Sequence, residues 1–187
     1  MNAYIFSAFR LTIVCLLFFV GIYSAIVFGI AQFAPNQGKG EIISQNNKTY
    51  YANIGQSFTD DKYFQSRPSA VAYNAAGSAG SNKAPSNPDY LKEVQARIDT
   101  FMVHNPDVQK SEIPSDIITA SGSGLDPNIS VQAATIQIKR IAKIRGIAEA
   151  NLKQLIISNT EPPLLGFLGP EKINVLKLNL ALDELKN

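Results

Sequence analysis

Few residues in this chain have the types and spacing that chemistry requires. The Gly/Ser stretch Ser121-Gly122-Ser123-Gly124 lies ahead of a helical pattern. Backbone N–H groups at such a place attract anions, although most Ser-Gly loops are plain turns. Gln137 is a polar amide in the otherwise apolar stretch 134–138. It reads as a hydrogen-bonding residue, or else as an exposed flank of its helix. Lys139, Arg140, Lys143 and Arg145 form a basic set, read as a solvated helix face that could also meet an acidic surface or a phosphate. His104 is the one histidine and falls at a helix end, where it reads as a surface residue rather than a base.

The motifs of catalysis are missing. There is no G-x-x-x-x-G-K-[ST] loop, because Gly38-Lys39 lacks both the upstream glycine and the following hydroxyl. Asp61-Lys62-Tyr63 is not the Asp-Lys-Thr-Gly run that P-type ATPases phosphorylate. Ser121 stands where a G-x-S-x-G elbow needs glycine. One Cys and one His exclude a disulfide framework and a zinc cluster, and Cys15 sits in an apolar run as a small hydrophobe. Seventeen Lys+Arg against fifteen Asp+Glu give a charge of only +2, too little for a nucleic-acid surface. Of 187 residues, 45% are hydrophobic and 17% charged, which excludes a disordered chain.

The elements that would position these residues fall into two unlike parts. After residues 1–10, residues 11–34 carry no charge. At 1.5 Å per residue they cover about 36 Å, enough for one transmembrane helix. The run exceeds the usual apolar region of a signal peptide, so a retained anchor is expected over a cleaved leader. It is apolar all round, unlike a buried soluble helix. Arg10 precedes it and Lys39, offset by Glu41, follows it. The positive-inside rule then places the amino terminus inside and the bulk of the chain outside. Gly21, Ala25 and Gly29 recur every four residues, which makes a seam for close helix packing.

Residues 35–40 read as a short linker and residues 41–187 as one extramembrane α+β domain. Strands are expected at 41–45 and 48–54 around Asn46-Asn47. A long Ser/Gly/Asn/Ala stretch follows at 55–87, pinned by Tyr63, Phe64 and Tyr73. Asn87-Pro88 starts a helix with Leu91, Val94, Ile98 and Phe101 on one face, and Asn105-Pro106 stops it. Residues 117–120 predict a short strand. Ser130 caps a helix over 131–145 that Gly146 closes, with Ala134, Ile138 and Ile141 inward. A second helix covers 148–158, a turn covers 166–170, and the alternating leucines at 176, 178, 180 and 182 predict a strand before a polar tail.

Several runs resemble, in order, the C subunit (KdpC) family of the Kdp potassium-transporting P-type ATPase. They are Tyr63-Phe64-x-x-Arg67-Pro68-Ser69-Ala70, Tyr73-Asn74 with Gly80-Ser81-Asn82, and Ser86-Asn87-Pro88. Further on come Thr119 to Asp126, Ala133-Ala134 with Gln137-Ile138 and Arg140, and Asn174-Val175 with Leu178 to Asp183. Lys139 departs from the resemblance, since the family more often has proline there; lysine is expected to leave the helix unbroken. The resemblance implies an accessory subunit of an ATP-driven potassium uptake complex in the cell inner membrane. Its partners would be a channel-like potassium-translocating subunit, the P-type ATPase subunit and a small single-span subunit. It also implies a catalytic chaperone that raises the ATP affinity of the ATPase subunit, with ATP as shared ligand. Carried over, nucleotide contact would fall on Gln137 and on Ser121, Gly122, Ser123 and Gly124. The topology rule, however, puts those residues outside, away from ATP. A noncatalytic cap over the outer mouth of the channel-like subunit therefore stands beside that role, with 63–87 as its contact surface. A free-standing enzyme and a ligand-binding module are the remaining classes.

Overall fold

The computed structural model describes residues 2–45 and 47–185. They divide into two compact units, up to Tyr51 and from Ala52 onward. In the first unit one long helix runs from α1 (Asn2–Leu16) through a π-helical stretch, Leu17–Tyr23, into α2 (Ser24–Ala31). Tyr4–Ala31, 28 residues containing an 18-residue window with a mean hydropathy of 2.7, is long and apolar enough to cross a membrane. The helix starts before Arg10 and stops short of residue 34, so Arg10 lies inside it. Gly21 and Gly29 have open space where a Cβ would stand. The expected linker is a tight turn, Pro35–Gly38, and Asn36 Nδ2 donates to the carbonyl of Gly40 at 2.8 Å. β1 (Ile42–Gln45) and β2 (Lys48–Tyr51) form the expected antiparallel hairpin, with Ile42 opposite Tyr51. Of its turn pair, Asn46 lies outside the described residues and Asn47 is left-handed at φ 59°.

The second unit holds the α+β domain. α3 (Pro88–His104) begins as expected: the Asn87 side chain accepts from the N–H groups of Asp89 and Tyr90. Ile98 and Phe101 are buried, whereas Leu91 is exposed. The strand expected at 117–120 is absent. Ser115–Ile117 is a 3-10 turn, and both the N–H and the hydroxyl of Thr119 bond back to the carbonyl of Ser115. That local bonding curls a β-branched run that would otherwise suit a strand.

β3 (Asn128–Ile129) leads to α4 (Val131–Thr135), whose cap is the Ser130 hydroxyl, accepting from the N–H of Ala133. α5 (Ile138–Arg145) follows and ends at left-handed Gly146, φ 67°. The single helix expected over 131–145 is therefore divided at Ile136 and Gln137. Gln137 Nε2 donates to the carbonyl of Ala133, the acceptor its own N–H would take in an α-helix. That N–H bonds to Ala134 instead, and the turn tightens.

α6 (Glu149–Asn159) runs into β4 (Thr160–Glu161), and β5 (Lys172–Asn174) leads into α7 (Val175–Glu184). β5 lies between β3 and β4, antiparallel to both, with Ile173 paired to Ile129 and Thr160. The strand expected from alternating leucines is the helix α7. Val175, Leu178, Asn179 and Leu182 are buried at helical spacing, and Leu176 lies beside them. The core gathers Phe64 and Phe101 with Ile138, Ile141, Leu152, Leu155, Ile156, Ile173 and Leu178.

Candidate functional site

The chain from Asp61 to Gln65 lies against the core without belonging to a sheet, with Phe64 buried, and most of its peptide groups take partners from side chains. Helix α7, helix α5 and the α4–α5 break provide them. Asn179, on the buried face of α7 and 1% exposed, accepts from the N–H of Phe64 and donates to its carbonyl, both at 2.9 Å. Gln137, 0% exposed at the α4–α5 break, accepts from the N–H of Gln65 at 2.8 Å. Its Oε1 also accepts from Arg140 Nη2 at 2.6 Å. Arg140, 7% exposed, donates to the carbonyls of Asp61 and Tyr63 and, through Nε at 2.9 Å, to Asn105. Asn105 in turn donates to the carbonyl of Phe101 at 2.9 Å, which fixes the end of α3. Arg145 donates to the carbonyl of Lys62 at 2.9 Å and pairs with Asp183 at 2.6 Å. Its guanidinium lies 4.9 Å from the Tyr63 ring centre, and the Tyr63 hydroxyl donates to Asp183 at 2.9 Å.

The electrostatics follow from this burial. Desolvation pushes the Arg140 pKa down, and the carboxylates of Asp61 and Asp60 push it back up. Asp61 Oδ1 lies 3.7 Å from Arg140 Nη1 and 2.8 Å from His104 Nδ1. His104 is thus the last residue of α3, bonded to a carboxylate. Burial, and then the bond to Asp183, push the Tyr63 phenol up. Burial does the same to Tyr73, whose hydroxyl donates to the carbonyl of Arg67. The expected basic face is half correct. Lys139 and Lys143 are exposed, while Arg140 is buried and Arg145 half-buried, because their guanidinium groups are spent on backbone carbonyls.

The Ser121–Gly124 loop occupies a different place from Gln137. Residues 125–130 separate it from α4, so it does not form that helix's N-terminus, where Ser130 is the cap. Within the loop the Ser121 hydroxyl accepts from the N–H of Gly124 at 2.9 Å and that of Ser123 from Leu125 at 3.1 Å. Outside it, Ser69 donates to the carbonyl of Gly124 at 2.7 Å and Ser78 to that of Ser123 at 3.0 Å. The loop therefore fastens the stretch 69–80. Gly124 is required there: at φ +68° a Cβ would lie 2.7 Å from Val71 Cγ2 and 2.8 Å from the carbonyl oxygen of Ala79. Ser121 and Gly122 line an open cavity of about 410 Å³ with Gly80, Asn82 and Lys83. Among the described residues no group of three or more His, Cys, Asp or Glu is placed to hold a metal.

Sequence pattern alone does not mark Asn105, Asn174 and Asn179 as backbone binders. Asn105 reads as a helix stop, and Asn174 caps α7 while donating to the carbonyl of Ala52 at 2.7 Å. A helical reading of 175–182 would have shown Asn179 on the apolar face, and that is the signal for it.

The described residues thus combine a helix long and apolar enough to cross a membrane with an α+β domain whose buried polar side chains bind its own backbone. The profile of one family, described as KdpC, K+-transporting ATPase, c chain, matches residues 5–184. The potassium-transporting ATPase KdpC subunit of Flavobacterium psychrophilum is 56% identical over 97% of this chain and 98% of its own length. That of Flavobacterium johnsoniae is 57% identical with the same coverage, and that of Bacteroides fragilis 47% identical over 97% of each. The chain belongs to the KdpC family, as a subunit of the K+-transporting ATPase with an accessory role in potassium uptake.

Proposed function

We propose that this subunit is a noncatalytic extracytoplasmic cap. The helix Tyr4–Ala31 anchors it in the inner membrane with the amino terminus inside, and the α+β domain covers the outer mouth of the channel-like potassium-translocating subunit. The P-type ATPase subunit and the small single-span subunit complete the complex, and the seam Gly21, Ala25 and Gly29 packs on one of their helices. The observation that carries this reading is the engagement of Gln137. It is fully buried, its Oε1 is shared by Gln65 and Arg140, and its Nε2 is bound to Ala133. A nucleotide would have to break a core contact to reach it. The second reading is a catalytic chaperone that raises the ATP affinity of the ATPase subunit. Its support is the cavity at Ser121 and Gly122, beside Lys83.

One experiment separates the two. The whole complex is purified through a tag on this chain, and K+-stimulated ATP hydrolysis is followed against ATP concentration. Gln137→Ala is expected to lower the yield of complex by loosening the domain, with an unchanged KM for ATP in what assembles. A raised KM at full yield would establish the chaperone instead. In the same purification, changing Gly21, Ala25 and Gly29 to Leu is expected to lower recovery of the partners while the domain melts as before. Full recovery refutes the seam. Protection of the domain from external protease in intact spheroplasts would overturn the topology.

A further inference from the structure

The turn between β4 and β5 exposes an apolar tip that the fold itself does not use. Leu164 is 69% exposed, Leu165 75%, Phe167 74% and Leu168 49%. No charge occurs from Pro162 to Pro170. The tip is closed by its own backbone. Leu164 and Leu168 exchange two backbone hydrogen bonds, at 3.0 and 2.9 Å, and form an antiparallel bridge. Gly166 completes the turn at φ 82°. Leu165 stands at φ 56°, in the left-handed region that Gly and Asn occupy readily and a branched apolar residue does not. A leucine here is unfavourable twice, in its backbone and in its exposure to water, and such outliers gather where a surface has work to do.

We infer that this tip, Leu164 to Leu168, is a preformed plug that docks into an uncharged apolar pocket on another subunit of the K+-transporting ATPase. The inference rests on the accessory-subunit reading and names a surface for it. A closed, cross-bonded turn loses little conformational freedom on docking, and Phe167 at its apex is the kind of aromatic anchor that dominates interfaces. The charge pattern selects the occupant. Glu161, at the base, lies 3.6 Å from both Lys172 and Lys177, and Glu171 balances the remaining positive charge. The border is therefore neutral, and it offers no cationic excess to draw an anionic lipid surface. A second copy fits poorly as well. Two convex tips meeting about a two-fold axis bury only a few hundred Å², against roughly 1,000 Å² for a stable interface.

The test uses the full chain within its complex. With benzoylphenylalanine in place of Phe167, irradiation of native membranes is expected to join the chain to one other ATPase subunit, identified by mass spectrometry. Adducts to lipid, to a second copy, or to nothing overturn the plug. In parallel, Leu165→Asn with Phe167→Ser is expected to reduce the ATPase subunits retained on the tagged chain at least tenfold. The chain's melting temperature should not fall, since Asn suits φ +56°. Equal retention of the partners by wild type and variant overturns the plug and leaves the accessory reading standing. A wild-type chain that retains no ATPase subunit overturns both.

Discussion

The bond between Asn179 and Phe64 is the sharpest place to test how the domain is held. Asn179→Ala removes the acceptor of the Phe64 N–H and the donor to its carbonyl, both at 2.9 Å inside the core. Phe64 is fully buried, so neither group finds water. Leaving one buried backbone group unpaired costs about 1–3 kcal/mol, so the pair costs about 2–6 kcal/mol. A domain of this size is stable by about 5–15 kcal/mol, so the change removes a large share of the whole. At roughly 2–4 °C per kcal/mol, the melting temperature should fall by about 4–24 °C. The chain has seven tyrosines and no tryptophan, so far-UV circular dichroism with tyrosine emission is the suitable assay. Asn179→Asp is the control. It keeps the acceptor but turns a second oxygen toward the Phe64 carbonyl, and only a protonated carboxyl restores the donor. Its folded-state pKa must then be raised, so its deficit is small in acid and grows as pH rises above the ordinary carboxylate pKa. A loss under about 1 kcal/mol for the alanine variant, or no acid rescue of the aspartate variant, would refute the reasoning.

Two further outcomes follow from geometry. Gly124→Ala should destabilise by about 2–3 kcal/mol, from the added left-handed strain and the clash with Val71 and the Ala79 carbonyl; a denaturation midpoint equal to wild type would count against the fastening role of the Ser121–Gly124 loop. Burial raises the Tyr73 pKa, so the folded state keeps a proton that the unfolded chain gives up, and stability should fall as pH rises above about 10. Tyr73→Phe should flatten that alkaline decline while lowering stability at neutral pH through the lost bond to Arg67; an unchanged alkaline slope would disprove the assignment.

Local chemistry made part of this domain readable in advance. Asn87-Pro88, Ser130 and Gly146 each act within one helical turn, and each sits where its residue type predicts. Leucines at 176, 178, 180 and 182 mislead because a spacing of two also places residues on a broad helical face. The decisive residue is Asn179, which belongs to the helix's buried stripe and to no alternating strand. The break at Gln137 was hidden for another reason. It arises from a side chain competing for the Ala133 carbonyl, and propensity carries no trace of that. The burial of Arg140 likewise depends on the carbonyls of Asp61 and Tyr63, nearly eighty residues away in sequence. Asymmetry of this kind is invisible to a count of charges along one helix.

Holding Lys62 and Gln65 by their peptide groups makes tolerance to substitution unequal on the two sides of those contacts. Lys62 presents to α5 a carbonyl that every amino acid carries, and Gln65 presents to the α4–α5 break an N–H that all but proline carry. Their own side chains are therefore free to drift over generations without loosening the clamp. Gln137, Arg140 and Asn179 have no such latitude, because the length and amide or guanidinium shape of each is the fit.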